Sequence, residues 1–489
     1  MQGTTKRLFT SGMLLISAAS YVQAEPLQPD PAWQQGTLAN GFQWQVLATP
    51  QRPNDRIQIR LLVNSGSLAE STQQSGFSHF LPRIVLTGEP IPTAARWQQS
   101  MAAGQTPPPV VVSYDLTQYA LSLPVQRDDS LKETLAWLAR SVGQMQITPQ
   151  RIDNALKGSD RVETWPADTK DSWWRYRLQG SALLGHDPAE SLNHPVDPAA
   201  LSAFYQQWYT PDAMTLVVVG NVDSRNLGEQ ISRIFGELKG KRETPMPVPT
   251  LSALKTTAVS IMSDKVTRDR LSLMWDSPWQ PIRDVAAIQR YWRADLAREA
   301  LFWHIQQGLN KNAANDVNLG FECRVLYQRA QCGMTIESAN ERLKPNTEMI
   351  GRELAKVRQE GLSQDEFDSL ISQKNIELQT LFAAYARTQT PTLTAQRLRA
   401  LQNQVVDIAP EQYQQLRQKF LSSITRDELN QELRQQLAQP IALVLLQPKG
   451  EPEVNMKELQ QSWDTVTAVS QPAPPAQEEK GEVTDIPPA

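Results

Sequence analysis

The stretch Ser75-Gly76-Phe77-Ser78-His79-Phe80-Leu81-Pro82-Arg83-Ile84-Val85-Leu86 is the part of this chain from which its fold can be inferred. We expect it to form a buried helix. His79 and Arg83 are four residues apart and would share one face of that helix. His79 taken alone can be a buried histidine with a backbone hydrogen-bond partner, so it does not by itself define a site.

The same stretch is similar to a zinc-binding motif but differs from it at two positions. Zinc peptidases of the inverted type carry H-x-x-E-H on a helix, where both histidines bind the metal and the glutamate activates a water molecule. Counted from His79, the glutamate position holds Pro82 and the second histidine position holds Arg83. We therefore expect no catalytic residue here and no confident metal ligand, since only the ligand position of His79 survives.

The effect of Pro82 on the helix depends on where the helix begins. If it begins near Ser75, Pro82 lies beyond the first turn, removes a backbone hydrogen bond and bends the axis. If Ser78 is the capping residue, Pro82 lies within the first turn and is harmless.

Residues 1–24 have the features of a secretory signal peptide. Lys6 and Arg7 precede an apolar run at 8–19 that is too short to span a bilayer, and small residues at Val22 and Ala24 fit cleavage after Ala24. We therefore predict that the mature chain is exported and periplasmic.

Length and charge set further bounds. The 489 residues are too many for one core and predict two large or three small domains. The net charge of −4, without a basic run, argues against nucleic acid as a partner, and no later stretch is long enough for a membrane span. Trp165, Trp173 and Trp174 could form a stacking platform, but buried aromatics are the simpler interpretation.

Strand and helix signals occur twice along the chain. In each half, alternating strands precede a helix, and an apolar strand follows the last helix, at 214–220 and at 442–446. Two helix starts correspond as well, one capped by Thr148 and one by Ser363 with Glu366 in a capping box. We predict related domains at 31–239 and 256–450, a proline-rich linker at 240–255 and a disordered tail at 464–489.

Cys323 and Cys332 are the only cysteines. Two short strands that reverse near Tyr327 and Gln328 would place the sulfur atoms opposite each other, and in an oxidising compartment such a pair tends to form a disulfide. Two free buried thiols are the alternative, because the turn lacks an Asn-Gly pair.

Five blocks of sequence resemble the pitrilysin/insulinase family of zinc metallopeptidases, the inverzincins. They follow the order and spacing of that family over residues 31–239, and the second half is similar to its repeated domain. The blocks are Thr37-Leu38-Ala39-Asn40-Gly41, Gly66-Ser67-Leu68-Ala69-Glu70, Gly76-Phe77-Ser78-His79-Phe80-Leu81, Phe204-Tyr205-Gln206-Gln207-Trp208-Tyr209-Thr210-Pro211 and Val217-Val218-Val219-Gly220-Asn221-Val222-Asp223.

The resemblance implies an α+β clamshell of two homologous domains, each an antiparallel-rich sheet covered by helices, as in the mitochondrial-processing-peptidase-like metallohydrolase fold. It also implies a peptide bound as an added strand, zinc, and a third ligand, a glutamate, near residues 155–163. No residue there is a secure match, because Asp160 or Glu163 would need a shifted register. The arginine and tyrosine with which the family holds substrate are not evident, and Gln307-Gly308-Leu309 stands where the arginine is expected.

These observations leave three hypotheses. The first is a pseudoenzyme without a cofactor, which binds unfolded peptide or partners an active family subunit. The second is an active zinc endopeptidase with atypical ligands. The third is a scaffold that binds no peptide. The sequence does not indicate the oligomeric state.

Overall fold

The structure is a computed structural model that describes residues 24–50, 55–97, 110–125, 128–311 and 317–468. The predicted signal peptide, except Ala24, and the tail beyond residue 468 lie outside the described residues.

The first half of the chain forms one mixed sheet. Its strands run in the order β1-β2-β8-β3-β6-β5-β7, and β4 also pairs with β6. Most neighbours are antiparallel, but β2 and β8 are parallel, as are β5 and β7. The strands are β1 (Trp33–Thr37), β2 (Gln43–Ala48), β3 (Arg56–Val63), β4 (Arg96–Trp97), β5 (Val110–Val112), β6 (Thr117–Pro124), β7 (Glu163–Thr164) and β8 (Met214–Gly220).

Helices cover one face of this sheet and enclose the main core of the first half. The predicted cap is present, because the Thr148 side chain accepts a hydrogen bond from the Arg151 N–H and Pro149 is the first helical residue. β8 is buried on both faces, as its apolar sequence predicts. The helices are α1 (Phe77–Leu86), α2 (Asp128–Leu138), α3 (Pro149–Lys157), α4 (Ser172–Arg177), α5 (Pro198–Trp208) and α6 (Ser224–Phe235).

The second half forms another mixed sheet, in the order β11-β12-β10-β13-β9. Its strands are β9 (Val259–Ser263), β10 (Asp269–Pro278), β11 (Asn318–Leu326), β12 (Arg329–Ser338) and β13 (Ala442–Pro448). Its helices are α7 (Val285–Lys311), α8 (Leu343–Glu360), α9 (Gln364–Ala384), α10 (Thr390–Gln402), α11 (Pro410–Ser423), α12 (Arg426–Leu437) and α13 (Met456–Thr467). Ser363 and Glu366 form the predicted capping box of α9.

The two sheets share one topology. The order β2-β8-β3-β6-β5 in the first matches β9-β13-β10-β12-β11 in the second, with one parallel pair at the same place and antiparallel pairs elsewhere. The first sheet has an additional strand at each edge, β1 beside β2 and β7 beside β5. In the first sheet β7 covers β5, whereas β12 is the only strand found beside β11 in the described part of the chain.

The two halves of the chain are in direct contact with each other. α10 of the second half packs on the face of the first sheet that its own helices leave open, where Leu393 meets Leu47 and Val217. In return, the segment before β1 contributes Leu27 to the core of the second half. The halves are therefore joined by exchanged elements as well as by the linker.

A buried group of charges fixes this contact. Asp276 on β10 accepts hydrogen bonds from Arg177 of α4, at 3.3 Å, and from Arg329 of β12, at 2.7 Å. The linker takes part, since Arg177 donates to the Ser252 carbonyl and the Leu254 N–H donates to Asp276. The linker is thus bound to both halves along this stretch.

The hairpin of β11 and β12 carries the two cysteines. Cys323 and Cys332 are paired across the strands and are linked by a disulfide. The reversal lies at Tyr327 and Gln328, both in the left-handed region, with φ of 42° and 68°. Tyr327 packs against Trp165, which is 37% exposed, and against Tyr114, which in turn contacts the buried Trp174. These two tryptophans therefore belong to a contact between the halves.

One predicted boundary is wrong. α13 extends to Thr467, so the tail does not begin at residue 464. Gly351 of α8 has no side chain, and Trp463, Val466 and Thr467 lie close over its backbone, which extends the packed helix by a turn. Within the described ranges, no helix has the length and apolarity that a membrane span requires.

Candidate functional site

α1 is buried along almost its whole length and begins at Phe77, after the capping residue Gly76, whose φ of 89° favours glycine. Pro82 is therefore the sixth residue of the helix and lies beyond its first turn. Lacking an N–H, it cannot donate to the Ser78 carbonyl four residues earlier. Of the two alternatives that the sequence left open, the structure has the one in which Pro82 weakens the helix.

Glu70 supports the start of this helix from the preceding loop. Its carboxylate accepts hydrogen bonds from the Gly76 N–H at 3.3 Å and from the Ser78 N–H at 2.7 Å. The side chain is buried, and burial raises the pKa of Glu70 to about 7, against the lowering effect of these hydrogen bonds. A carboxylate thus replaces the usual capping side chain, which Gly76 cannot supply.

His79 is held by two acceptors. Its Nε2 lies 2.8 Å from a carboxylate oxygen of Asp160, and its Nδ1 lies 3.3 Å from the Pro188 carbonyl oxygen. A carboxylate has no proton to give at neutral pH, so Nε2 carries the hydrogen and donates it to Asp160. The ring nitrogen that faces the candidate site is therefore engaged in a hydrogen bond with a carboxylate.

Arg83 occupies the second histidine position of the motif. Its guanidinium donates to the Ala155 carbonyl at 2.8 Å and to the Ser191 hydroxyl at 3.2 Å, with longer contacts to the Gly158 and Leu192 carbonyls. The side chain is 7% exposed. Ala155 and Gly158 lie at the C-terminal end of α3, where unpaired carbonyls attract a cation. Arg83 therefore joins α1, α3 and the loop before α5.

These residues do not fit a zinc ion. A catalytic zinc site needs three protein ligands and an open position for water. Here the candidates are His79 and Asp160, which are bonded to each other, and the fixed positive charge of Arg83 lies beside them. In the described part of the chain, no group of three histidine, cysteine, aspartate or glutamate side chains is placed to hold a metal ion.

The two residues considered as a third ligand lie in different places. Asp160, in the loop after α3, reaches His79, whereas Glu163 lies in β7, paired with Val111 of β5. The sequence offered both residues and did not indicate which would be near His79. The register of β7 decides this, and two residues of strand are too short a signal to recognise in a sequence.

The other histidines lie apart from His79. The Nδ1 of His186 lies 3.1 Å from the Ser67 carbonyl oxygen, and His194 is exposed. His304 of α7 lies 3.6 Å from Glu353 and 3.5 Å from Glu366, in the second half. Within the ranges that the structure describes, none of the three joins His79 in a group that could hold a metal ion.

Comparisons with known proteins agree with this architecture. Residues 45–174 match the model of insulinase (peptidase family M16), and residues 195–374 match that of the peptidase M16 inactive domain. The chain is 63% identical to protein YhjJ of Salmonella typhi over 100% of both chains.

Solved structures are similar as well. A predicted insulinase family protease from Yersinia pestis superposes with a TM-score of 0.85 at 53% identity, over 94% of this chain and 100% of that one. The periplasmic protease PqqL from Escherichia coli superposes with a TM-score of 0.74 at 18% identity, over 92% of this chain and 52% of that one. The α+β clamshell with two homologous domains is therefore confirmed, and the chain belongs to the insulinase (pitrilysin) family, peptidase family M16.

Proposed function

We propose that this chain is a periplasmic, catalytically silent member of the M16 family that binds unfolded peptides. The observation that carries the proposal is the position of Arg83. Its guanidinium is hydrogen-bonded to α3 and to the loop before α5, at the place where the family motif has a metal-binding histidine. A buried cation with its own acceptors opposes a divalent ion at short range.

The missing general base is a second, independent reason to propose that the chain does not hydrolyse peptides. The glutamate that activates water in H-x-x-E-H is replaced by Pro82, which can neither take up nor release a proton. An active zinc endopeptidase with atypical ligands remains the alternative. It would have to break the bond between His79 and Asp160 and recruit a further ligand and a base.

Peptide binding is supported by the free edge of the second sheet. β11 is nine residues long, contains no buried residue, and pairs only with β12 among the strands of the described residues. A strand edge with unpaired N–H and C=O groups binds extended peptides by strand addition. The corresponding edge of the first sheet is less accessible, because β7 pairs with β5 and the Trp165 N–H donates to the Val112 carbonyl.

A partner subunit is a second candidate function. The chain aligns with 52% of the chain of PqqL, so one copy corresponds to about half of that protease. A second M16 subunit could supply the other half. Size-exclusion chromatography with light scattering tests this, because a stable complex with an active M16 peptidase would elute at the summed mass.

The periplasmic location rests on two features. The sequence of residues 1–24 is typical of a secretory leader, and the Cys323–Cys332 disulfide is of the kind that persists in oxidising compartments. Fractionation of cells that express the full chain, followed by mass measurement of the mature protein, tests both the location and cleavage after Ala24.

Binding and cleavage can be tested in one sample. A labelled, unstructured peptide is titrated with the protein and followed by anisotropy, and the mixture is then analysed by mass spectrometry with and without chelator. We expect saturable binding and no cleavage in either case. A matched peptide with alternate N-methylated residues cannot form the full ladder and should bind at least about tenfold more weakly. Chelator-sensitive cleavage would support the alternative, and lack of saturable binding would support a scaffold.

A further inference from the structure

A cavity of about 510 Å³ lies between the two halves, away from His79. Its size is within the range of roughly 300–1,000 Å³ of ligand pockets. Trp33 and Leu47 of the first sheet form one side, and helices α7, α9, α10 and α11 form the other. Most of the lining side chains are aromatic or aliphatic, so the cavity favours an apolar ligand.

The mouth of the cavity exposes apolar side chains to water. Leu381 and Phe382 of α9 are 57% and 37% exposed, and Tyr291 of α7 is 38% exposed. All three line the cavity. Large apolar side chains that are exposed together at a concave surface are typical of a binding site.

Several polar groups of the wall already have partners inside the protein. Asp407 is paired with Arg397 at 3.1 Å, and the Trp279 indole N–H donates to the Asn403 carbonyl at 2.7 Å. An apolar ligand would therefore leave these groups satisfied. A charged ligand would have to compete with existing pairs.

The C-terminal end of β11 reaches the cavity. Val325, near the end of that strand, lines the cavity, whereas the next two residues, Leu326 and Tyr327, pack toward Tyr114 and Trp174 of the first half. In an added strand, alternate side chains would point to the same side as Val325. A peptide on this edge could thus place one side chain at the cavity mouth.

We infer that the cavity binds one large aromatic side chain of an extended peptide whose backbone pairs with β11. This inference rests on the proposed peptide-binding function and adds a preference to it. The free edge supplies affinity that does not depend on sequence, and the cavity selects peptides that carry an aromatic residue at the position next to Val325.

The test uses the full mature chain and two fluorescein-labelled ten-residue peptides of alternating threonine and serine. One peptide has a central tryptophan, and the other has serine at that position. Anisotropy should give a dissociation constant at least about tenfold lower for the tryptophan peptide, the gain expected from burying one large apolar side chain.

Variants locate the effect. The double variant Leu381→Ser/Phe382→Ala changes only exposed side chains at the mouth, so the fold should be retained. It should reduce the preference to less than about threefold, with little effect on the serine peptide. Ile376→Ser is the matched control, because Ile376 is 62% exposed on the same helix but does not line the cavity.

The outcomes separate the two proposals. Equal affinities of both peptides for the wild-type chain would overturn the cavity assignment alone. A preference that survives in the double variant, or that is lost equally in the Ile376 control, would also overturn it. If neither peptide binds, the proposed function fails and this inference fails with it.

Discussion

The Arg83 guanidinium donates a hydrogen bond of 2.8 Å to the Ala155 carbonyl and so ties the motif helix α1 to the C-terminal end of α3. In the family motif, the residue at this position is a zinc ligand. Here a fixed cation connects α1 with α3.

Replacing Arg83 tests its structural role. Arg83→Met removes the charge and leaves the Ala155 carbonyl without its partner in a buried position, so we expect the free energy of unfolding to fall by about 2–4 kcal/mol. Urea denaturation followed by circular dichroism measures this. Arg140→Met is the control, since the pair of Arg140 with Glu89 is about half exposed and should contribute less than about 1 kcal/mol. Equal effects of the two variants would contradict the role of Arg83.

Glu70 should make stability depend on pH. Its pKa is raised from 4.5 to about 7 in the folded chain, so the folded state retains a proton that the unfolded chain releases. Its contribution is complete below about pH 4.5 and is lost as the pH rises toward 7. Glu70→Gln should remove this loss, which amounts to about 3 kcal/mol at most.

The measurement is the difference in unfolding free energy between wild type and Glu70→Gln at pH 5 and at pH 8. Glu190→Gln serves as a control, because Glu190 is exposed and has the smallest of the effects on the pKa of Glu70. If the unfolding free energies of wild type and Glu70→Gln changed in parallel with pH, the pKa of Glu70 would not be raised in the folded chain.

The contact between the two halves should be destabilised when Asp276, the anion of the buried group of charges, is removed. Asp276→Ala leaves the buried Arg177 and the partly buried Arg329 without their counter-charge, which should cost about 3–5 kcal/mol. Asp168→Ala breaks the pair with Lys265, which also links the two halves but lies in solvent, and should change stability little. Thermal unfolding of both variants compares them. Similar melting temperatures would mean that the buried group does not hold the halves together.

The disulfide should stabilise its hairpin by a modest amount. Cys323 and Cys332 are nine positions apart, and a ring of this size is expected to contribute roughly 2–3 kcal/mol. The double variant Cys323→Ser/Cys332→Ser should lose about that much and become insensitive to reductant. A wild-type chain whose stability does not change on reduction would contradict this expectation.

Much of the fold could be predicted because it is coded locally. The buried run at 214–220, the Thr148 cap and the Ser363 capping box each depend on a few adjacent residues, and the structure has all three. The second half was recognisable because it repeats the same order of strands and helices.

The contacts between distant residues could not be predicted. Asp160 meets His79 across 81 positions, and Arg177 meets Asp276 across 99, through turns that carry no sequence signature. The end of α13 was missed for a similar reason. Of the four helix residues that follow Trp463, all but Val466 are polar, and the close packing over Gly351 of α8 explains why they continue the helix.

The zinc content of the purified chain tests the central claim most directly. Wild-type protein is dialysed against zinc, washed free of loose ion and assayed for metal by mass spectrometry, next to the double variant Pro82→Glu/Arg83→His. The variant restores both missing motif residues beside His79 and Asp160. Its zinc content shows how much zinc a site with the restored motif retains. We expect far less than one zinc per wild-type chain, and no chelator-sensitive cleavage of an unfolded peptide. One tightly held zinc per wild-type chain, together with such cleavage, would contradict the account.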